Sequence, residues 1–390
     1  MAANASVIGQ IVTDRYALYH GDCIEVARGM PADSVHLSVF SPPFGSLYSY
    51  TDALQDMSNV RTEAEFFAGF DFLVAELARV IMPGRIVAFH CMNLPSTIER
   101  DGFIGIRDFR GDLIRAFLGK DALTMLRAIS SLRTRAFQAG IAGDISRERE
   151  LSDAAKLIQN DLTTHPCKSG FIYHSEVVIW KDPLIAATRT HALGLAHKQI
   201  VKDSSLCRVG IPDYLIAMRK PGKNPEAVTH QPSGFDRWIG PPEREPKAEK
   251  KKEPGKNKYS HEVWQRYASP VWFDIDPSDT LQRQSAREED DARHICPLQL
   301  TVIRRAIELW SNPGDTVFSP FAGIGSEGYV AVAEGRRFVG AELKETYYRQ
   351  AAANLEIGLK LKDQGTMFER LAGTDNSDSP HVKPGEEGAE

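Results

Sequence analysis

Ser41, Pro42, Pro43 and Phe44 stand in a row and supply what is needed to grip a planar base that carries an amino group. A serine oxygen and a backbone carbonyl can both accept hydrogen bonds from an exocyclic NH2, and an aromatic ring can stack on the base. The prolines stiffen the segment and restrict Ser41, which precedes the first of them. A plain proline turn with Phe44 in the core accounts for these four residues about equally well. A second stretch shifts that balance. Gly323-Ile-Gly325-Ser-Glu-Gly328 has Gly-x-Gly-x-x-Gly spacing. Glycines so placed permit a tight turn and let the backbone approach a bound nucleotide. Glu342 follows at the usual remove of roughly 20 residues from which an acid bonds a ribose hydroxyl pair.

The elements around these residues are those of an open α/β sheet. Val35, Leu37 and Val39, with Phe40 beside them, predict a short buried strand. Ser41 to Phe44 then lie just beyond its carboxyl end, where such sheets bind ligands. Thr316–Ser319 predicts a strand, Tyr329–Glu334 a helix and Arg337–Leu343 a further strand, which gives the glycines a strand–loop–helix setting. Tyr16–His20 reads as a strand ending at Gly21-Asp22. Asp22 can accept bonds from a ligand's amino group or cap the helix Ile24–Arg28, and the two roles are compatible. The apolar spacing of Glu63–Val80 predicts a helix and Arg85–His90 a strand, which makes a β-loop-α-β unit. Phe171–Trp180 and Asp213–Arg219 predict strands, and Pro297–Trp310 an amphipathic helix.

Between these elements, residues 111–165 read as an arginine-rich helical insertion and 182–211 as a basic loop. Residues 1–15 read as a loose start. The proline- and lysine-rich run from Lys223 to about Lys258 reads as a linker, and residues beyond about 360 as a disordered tail. The fold class is therefore α/β, with a mostly parallel sheet and helical and loop insertions.

At 390 residues, with 42% hydrophobic and 25% charged residues, the chain is long enough for one large domain plus insertions. The net charge of −5 counts against a nucleic-acid partner globally, yet a local basic cleft is compatible with it. No apolar run approaches the ~20 residues of a membrane span, and the first residues lack the features of a signal peptide. A cytoplasmic protein is expected. Cys23, Cys91, Cys167, Cys207 and Cys296 form no Cys-x-x-Cys pair, so reduced thiols and no metal site are expected.

Ser41-Pro-Pro-Phe44 ahead of Phe321-Ala-Gly-Ile-Gly325 resembles the DNA amino methyltransferases in their circularly permuted, beta-class arrangement, phage-encoded members in particular. That family puts a [DNS]-P-P-[YFW] segment first, a target-recognition region in the middle and a Phe-x-Gly-x-Gly loop last. The likeness spans about residues 16–105, 165–222 and 290–356. It implies a Rossmann-like methyltransferase fold that uses S-adenosyl-L-methionine on double-stranded DNA, as in restriction-modification systems. The catalytic half would lie in 1–110 with its remaining strands in 166–222. A helical insertion would fill 111–165, a linker and target-recognition region 223–290, the cofactor half 291–360 and a tail 361–390.

The implied catalytic residues are Ser41, Pro42, Pro43 and Phe44. Those implied for the cofactor are Asp22, His294, Cys296, Pro297, Gln299, Ser319, Phe321, Gly323, Gly325 and Glu342. Serine at the head of the catalytic segment leans toward cytosine N4 over adenine N6. The sequence departs from the family pattern in having Ser319-Pro-Phe321 where Asp-Pro-Phe is usual, and 111–165 has no family counterpart. Two readings of other classes stand beside this one. One is a nicotinamide-dependent oxidoreductase, resting on the glycines alone. The other is a catalytically idle DNA-binding homologue. Monomer and homodimer are both open.

Overall fold

The computed structural model describes residues 7–43, 63–96, 98–164, 170–185, 195, 197–207, 209–253, 255–281 and 297–374. Its main sheet contains β1 (Gly9–Val12), β2 (Tyr16–His20), β3 (Val35–Phe40) and β4 (Ile81–Met92). A two-stranded ribbon, β5 (Leu94–Ser96) and β6 (Gly105–Arg107), stands apart. The main sheet continues with β7 (Ile172–Ile179), β8 (Asp213–Arg219), β9 (Val271–Trp272), β10 (Thr316–Ser319) and β11 (Arg337–Glu342). The order across it is β1-β2-β11-β10-β3-β4-β8-β7-β9. From β2 to β4 all neighbours are parallel, whereas β8 runs antiparallel to both β4 and β7, and β1 antiparallel to β2. This is the expected α/β class, a mostly parallel sheet with an antiparallel hairpin strand.

Both faces are covered, which is why the central strands are apolar on both sides. On β4, Val87, Phe89 and Cys91 face one core, and Ile86 and Ala88 the other. The helices Cys23–Gly29, Glu63–Val80 and Phe109–Leu118 cover the first face. Leu300–Trp310, Ser326–Ala333 and Glu345–Thr374 cover the second.

Several boundaries differ from the sequence reading. The expected insertion begins too early, because Leu113 and Phe117 are fully buried, with Phe117 stacked on Phe89 at 4.9 Å. Burying each such side chain stabilises by about 1.5–3 kcal/mol, so Phe109–Leu118 is core. The excursion proper is the helical pair Lys120–Ile141 and Ile145–Thr164. Its ends meet, since a Cβ on Gly119 would lie 3.8 Å from Gly170 Cα. Replacing residues 120–168 by a short Gly/Ser linker should therefore change the thermal midpoint by less than about 1.5 °C, which corresponds to roughly 1 kcal/mol or less. A far larger drop in calorimetry would make the pair part of the core.

The run expected to be a linker is packed instead. Phe235, Ile239, Tyr259, Val263 and Tyr267 form their own buried cluster against the outer side of Leu300–Trp310. Arg305, fully buried, reaches from that helix to Asp274 at 2.6 and 3.0 Å and to the Ile239 carbonyl at 2.9 Å. It lies 5.0 Å from the ring centres of Trp238 and Trp272. The start is not loose throughout, since β1 pairs with β2. The last helix runs on to Thr374, past the expected start of the tail. Among the described residues Cys23, Cys91 and Cys207 are free thiols, and no described helix is long and apolar enough to cross a membrane.

Candidate active site

The chain leaves β10 through Ser326–Ala333 to β11 on one side, and leaves β3 through Glu63–Val80 to β4 on the other. The two connecting helices lie on opposite faces, so a crevice opens above the carboxyl ends of the adjacent strands β10 and β3. Ser41-Pro-Pro43 leaves β3 there, and the glycine run leaves β10 there. Ser38 Oγ donates to the Phe318 carbonyl at 2.9 Å and ties the two strands. The Phe321 ring packs 5.8 Å from that of Phe40. The fold thus brings the two stretches of interest together. Phe44, His294 and Cys296 lie outside the described residues.

Within the glycine run the residues are not equivalent. Gly323 has φ +52 and a Cβ on it would meet nothing within 4 Å, so it faces open space. Gly325 has φ +85, but its Cβ would lie 3.0 Å from the Ala351 backbone. Its job is close packing against Glu345–Thr374, not an approach to a ligand. Glu342 grips the loop, with Oε2 accepting from the Gly323 amide and Oε1 from the Lys344 amide, both at 2.8 Å. On the neighbouring strand, Asp22 caps Cys23–Gly29. Its Oδ1 accepts from the Ile24 and Glu25 amides at 2.9 and 3.0 Å. The Gly21 amide donates to the Glu342 carbonyl at 3.0 Å, which sets Asp22 and Glu342 side by side at the ends of β2 and β11.

Buried polar atoms without partners point to a ligand here. Ser319 Oγ ends β10, Ser326 Oγ and Thr346 Oγ1 open two of the helices, and Gln299 Oε1 precedes a third, just after Pro297. Leaving such a group unsatisfied costs about 1–3 kcal/mol, so a cluster of them at one edge of a sheet needs a reason. A polar ligand lying along the crevice provides one. Sequence reading missed Glu327, 4% exposed at the start of Ser326–Ala333. Burial, with Glu342 adding a little, pushes its carboxyl up to about 8. An acid at an inner position of the glycine motif was the only signal for it.

Sequence reading also missed the neighbours of Ser41. Its Oγ lies 3.2 Å from His90 Nδ1. His90 Nε2 lies 3.0 Å from Asp213 Oδ2, and Asp213 Oδ1 lies 2.6 Å from Lys181 Nζ. These residues share one face. Ile86, Ala88, Leu215, Ala217 and Ile179 line the second core, and His90, Asp213 and Lys181 continue that alternation at the upper edges of β4, β8 and β7. Burial raises the pKa of the Asp213 carboxyl, but His90 and Lys181 outweigh it and hold it below the ordinary carboxylate value. The arrangement can orient a serine hydroxyl and take up a proton through it.

Comparison with known proteins identifies a family. Residues 35–353 match the DNA methylase family N6_N4_Mtase. The type II methyltransferase M.BglI of Bacillus subtilis is 32% identical over 358 residues, 87% of this chain and 85% of that protein. The DNA adenine methyltransferase YhdJ of Escherichia coli K12 is 41% identical over 56 residues, 14% of this chain and 19% of that protein. The structure of the cytosine-N4-specific PvuII DNA methyltransferase overlays with a TM-score of 0.49 at 12% identity, covering 90% of this chain and 93% of that one.

Proposed function

The chain belongs to the DNA methylase family, and we propose that it transfers a methyl group from S-adenosyl-L-methionine to the exocyclic amino group of a base in double-stranded DNA, cytosine N4 in preference to adenine N6. The observation that carries this reading is the shared crevice at the ends of β3 and β10, with Ser41 on one lip and Gly323 and Glu342 on the other. The order of these parts along the chain, catalytic segment first, is that of the permuted beta class and of its phage-type members. Family membership leaves no room for a nicotinamide-dependent oxidoreductase.

When bound, the cofactor supplies an electrophilic methyl group on a sulfonium. Its pocket would be formed by Asp22, Pro297, Gln299, Ser319, Phe321, Gly323 and Glu342, with His294 and Cys296 beside them. The unpartnered oxygens of Ser319 and Gln299 are suited to its polar groups. Gly325 shapes that pocket without lining it. Ser41 Oγ and the Pro42 carbonyl accept hydrogen bonds from the amine, Pro43 holds the segment rigid, and Phe44 stacks on the base. Most of the catalysis is then positioning and electrostatics. The target nitrogen is inside the duplex, so the base must be flipped out. The basic loop after β7 leaves the sheet at Ile179 and returns at Asp213, the same edge as Ser41, where Lys198 and Lys202 can meet phosphates.

Transfer of labelled methyl groups to DNA, followed by single-molecule sequencing of the product, tests the activity and identifies the base. Methylated adenine would replace the cytosine assignment with adenine N6. An inert wild type that still binds DNA would make the chain an idle homologue. Ser41→Ala should slow transfer by about tenfold with little change in cofactor affinity, the value of one hydrogen bond that orients the amine. An unchanged rate would reduce Ser41-Pro-Pro43 to a turn.

A further inference from the structure

On the methyl-transfer reading, we propose that Asp213, backed by Lys181, holds the His90 ring with its proton on Nε2, and that His90 directs the Ser41 hydroxyl and receives the proton released by the amine. Asp213 is 2% exposed and His90 8% exposed. An ionised carboxylate only accepts, so its charge 3.0 Å away favours the hydrogen on the ring nitrogen that faces it, although the contact is not aligned as a hydrogen bond. Nδ1 of the neutral ring is then bare. Toward that nitrogen, 3.2 Å away, Ser41 can only donate, and the other acceptor within its reach, the His90 carbonyl, is farther at 3.5 Å. With that proton committed, both Ser41 lone pairs face the crevice and accept from an NH2 group. Without His90 the hydroxyl could turn its proton toward the amine and repel it.

The same contacts give the proton a route. As the new nitrogen–carbon bond forms and the methyl carbon–sulfur bond breaks with its pair left on sulfur, the nitrogen becomes cationic. One of its protons passes to Ser41 Oγ while the Ser41 proton passes to His90 Nδ1. The product is a neutral methylated amine and an imidazolium beside Asp213, so the positive charge is conserved. A purely structural account would make His90–Asp213 a tether between β4 and β8. Seven paired positions already join those strands, and a tether requires no contact with Ser41. His90 acts through Ser41 and is in that sense a positioning residue.

Two measurements test this. In protein labelled with 15N-histidine, without cofactor or DNA, the His90 signals are assigned by their loss in His90→Asn. Wild type should show the Nε2–H tautomer, and Asp213→Asn should shift the ring away from it. An Nδ1–H ring in the wild type overturns the proposal, whatever the variants do. In single-turnover methylation, Ser41→Ala and His90→Ala should each be slower by about tenfold with cofactor and DNA affinities retained, and the double variant no slower than the slower single. Independent effects, about 100-fold in the double variant, would overturn the coupling, as would a His90→Ala enzyme at the wild-type rate. A wild type that transfers no methyl group overturns the reading of the site, whereas normal transfer with the wrong tautomer overturns the relay alone.

Discussion

Gly323→Trp should fold and fail to bind S-adenosyl-L-methionine, with a loss of about 100-fold or more, equivalent to about 2.7 kcal/mol. At φ +52 any side chain is strained, which costs roughly 1–2 kcal/mol of stability. Apart from its chain neighbours no atom lies within 4 Å of its Cβ, however, so a side chain there starts out into open space on the loop that Glu342 holds. Gly323→Ala is the control, since it bears the same backbone strain and occupies little of the crevice. Calorimetry should show alanine binding within about tenfold of wild type and tryptophan not binding. Equal affinity for all three would remove the nucleotide from this crevice. Substituting Gly325 would not be informative, because its Cβ runs into Ala351 and any loss would report on packing.

Glu327→Gln should stabilise the protein at neutral pH, and the gain should vanish in acid. The carboxyl has a folded value of about 8 against an ordinary 4.5. Below the ordinary value both folded and unfolded chains are protonated and stability is at its full level. As pH rises toward the folded value, the unfolded chain ionises while the folded one keeps its proton, so stability falls. Each pH unit in that window is worth about 1.4 kcal/mol, which puts the penalty at pH 7 near ~3 kcal/mol. Glutamine has the same shape and no proton to lose. Urea unfolding at about pH 3.5 and at pH 7 should give near-equal stabilities at the first and a more stable variant at the second. A difference independent of pH would mean that burial does not keep Glu327 protonated.

What could be read from the sequence was local. Val35 to Phe40, Thr316 to Ser319 and Arg337 to Glu342 are short apolar runs bounded by turn residues, and each appears as a strand at or near its expected limits. Strand–turn–helix order, together with the prolines after Phe40 and the glycines after Phe321, was enough to place both chemical stretches at carboxyl ends of strands. Aromatic residues from Phe235 to Tyr267 were also plain in the sequence. Prolines and lysines among them made the region look like a linker, because burial of a sparse aromatic set depends on a partner surface. Arg305, far along the chain, provides that surface.

By itself, then, the sequence determined the fold class, the two segments that bear the chemistry and the family to which they belong. These depend on residue type and spacing within a few turns of chain. Only the tertiary structure decided which residues meet across that distance. His90 faces Ser41 because β3 and β4 pair in one particular parallel register, and Asp213 faces His90 because β8 runs back antiparallel beside β4. A slip of one residue in either pairing would turn those side chains to the opposite face. Likewise, the motif makes Gly323 and Gly325 look alike. The helix Glu345–Thr374, whose Ala351 would lie 3.0 Å from a Cβ on Gly325 and does not approach Gly323, makes Gly325 a wall of the core and leaves Gly323 open to a ligand.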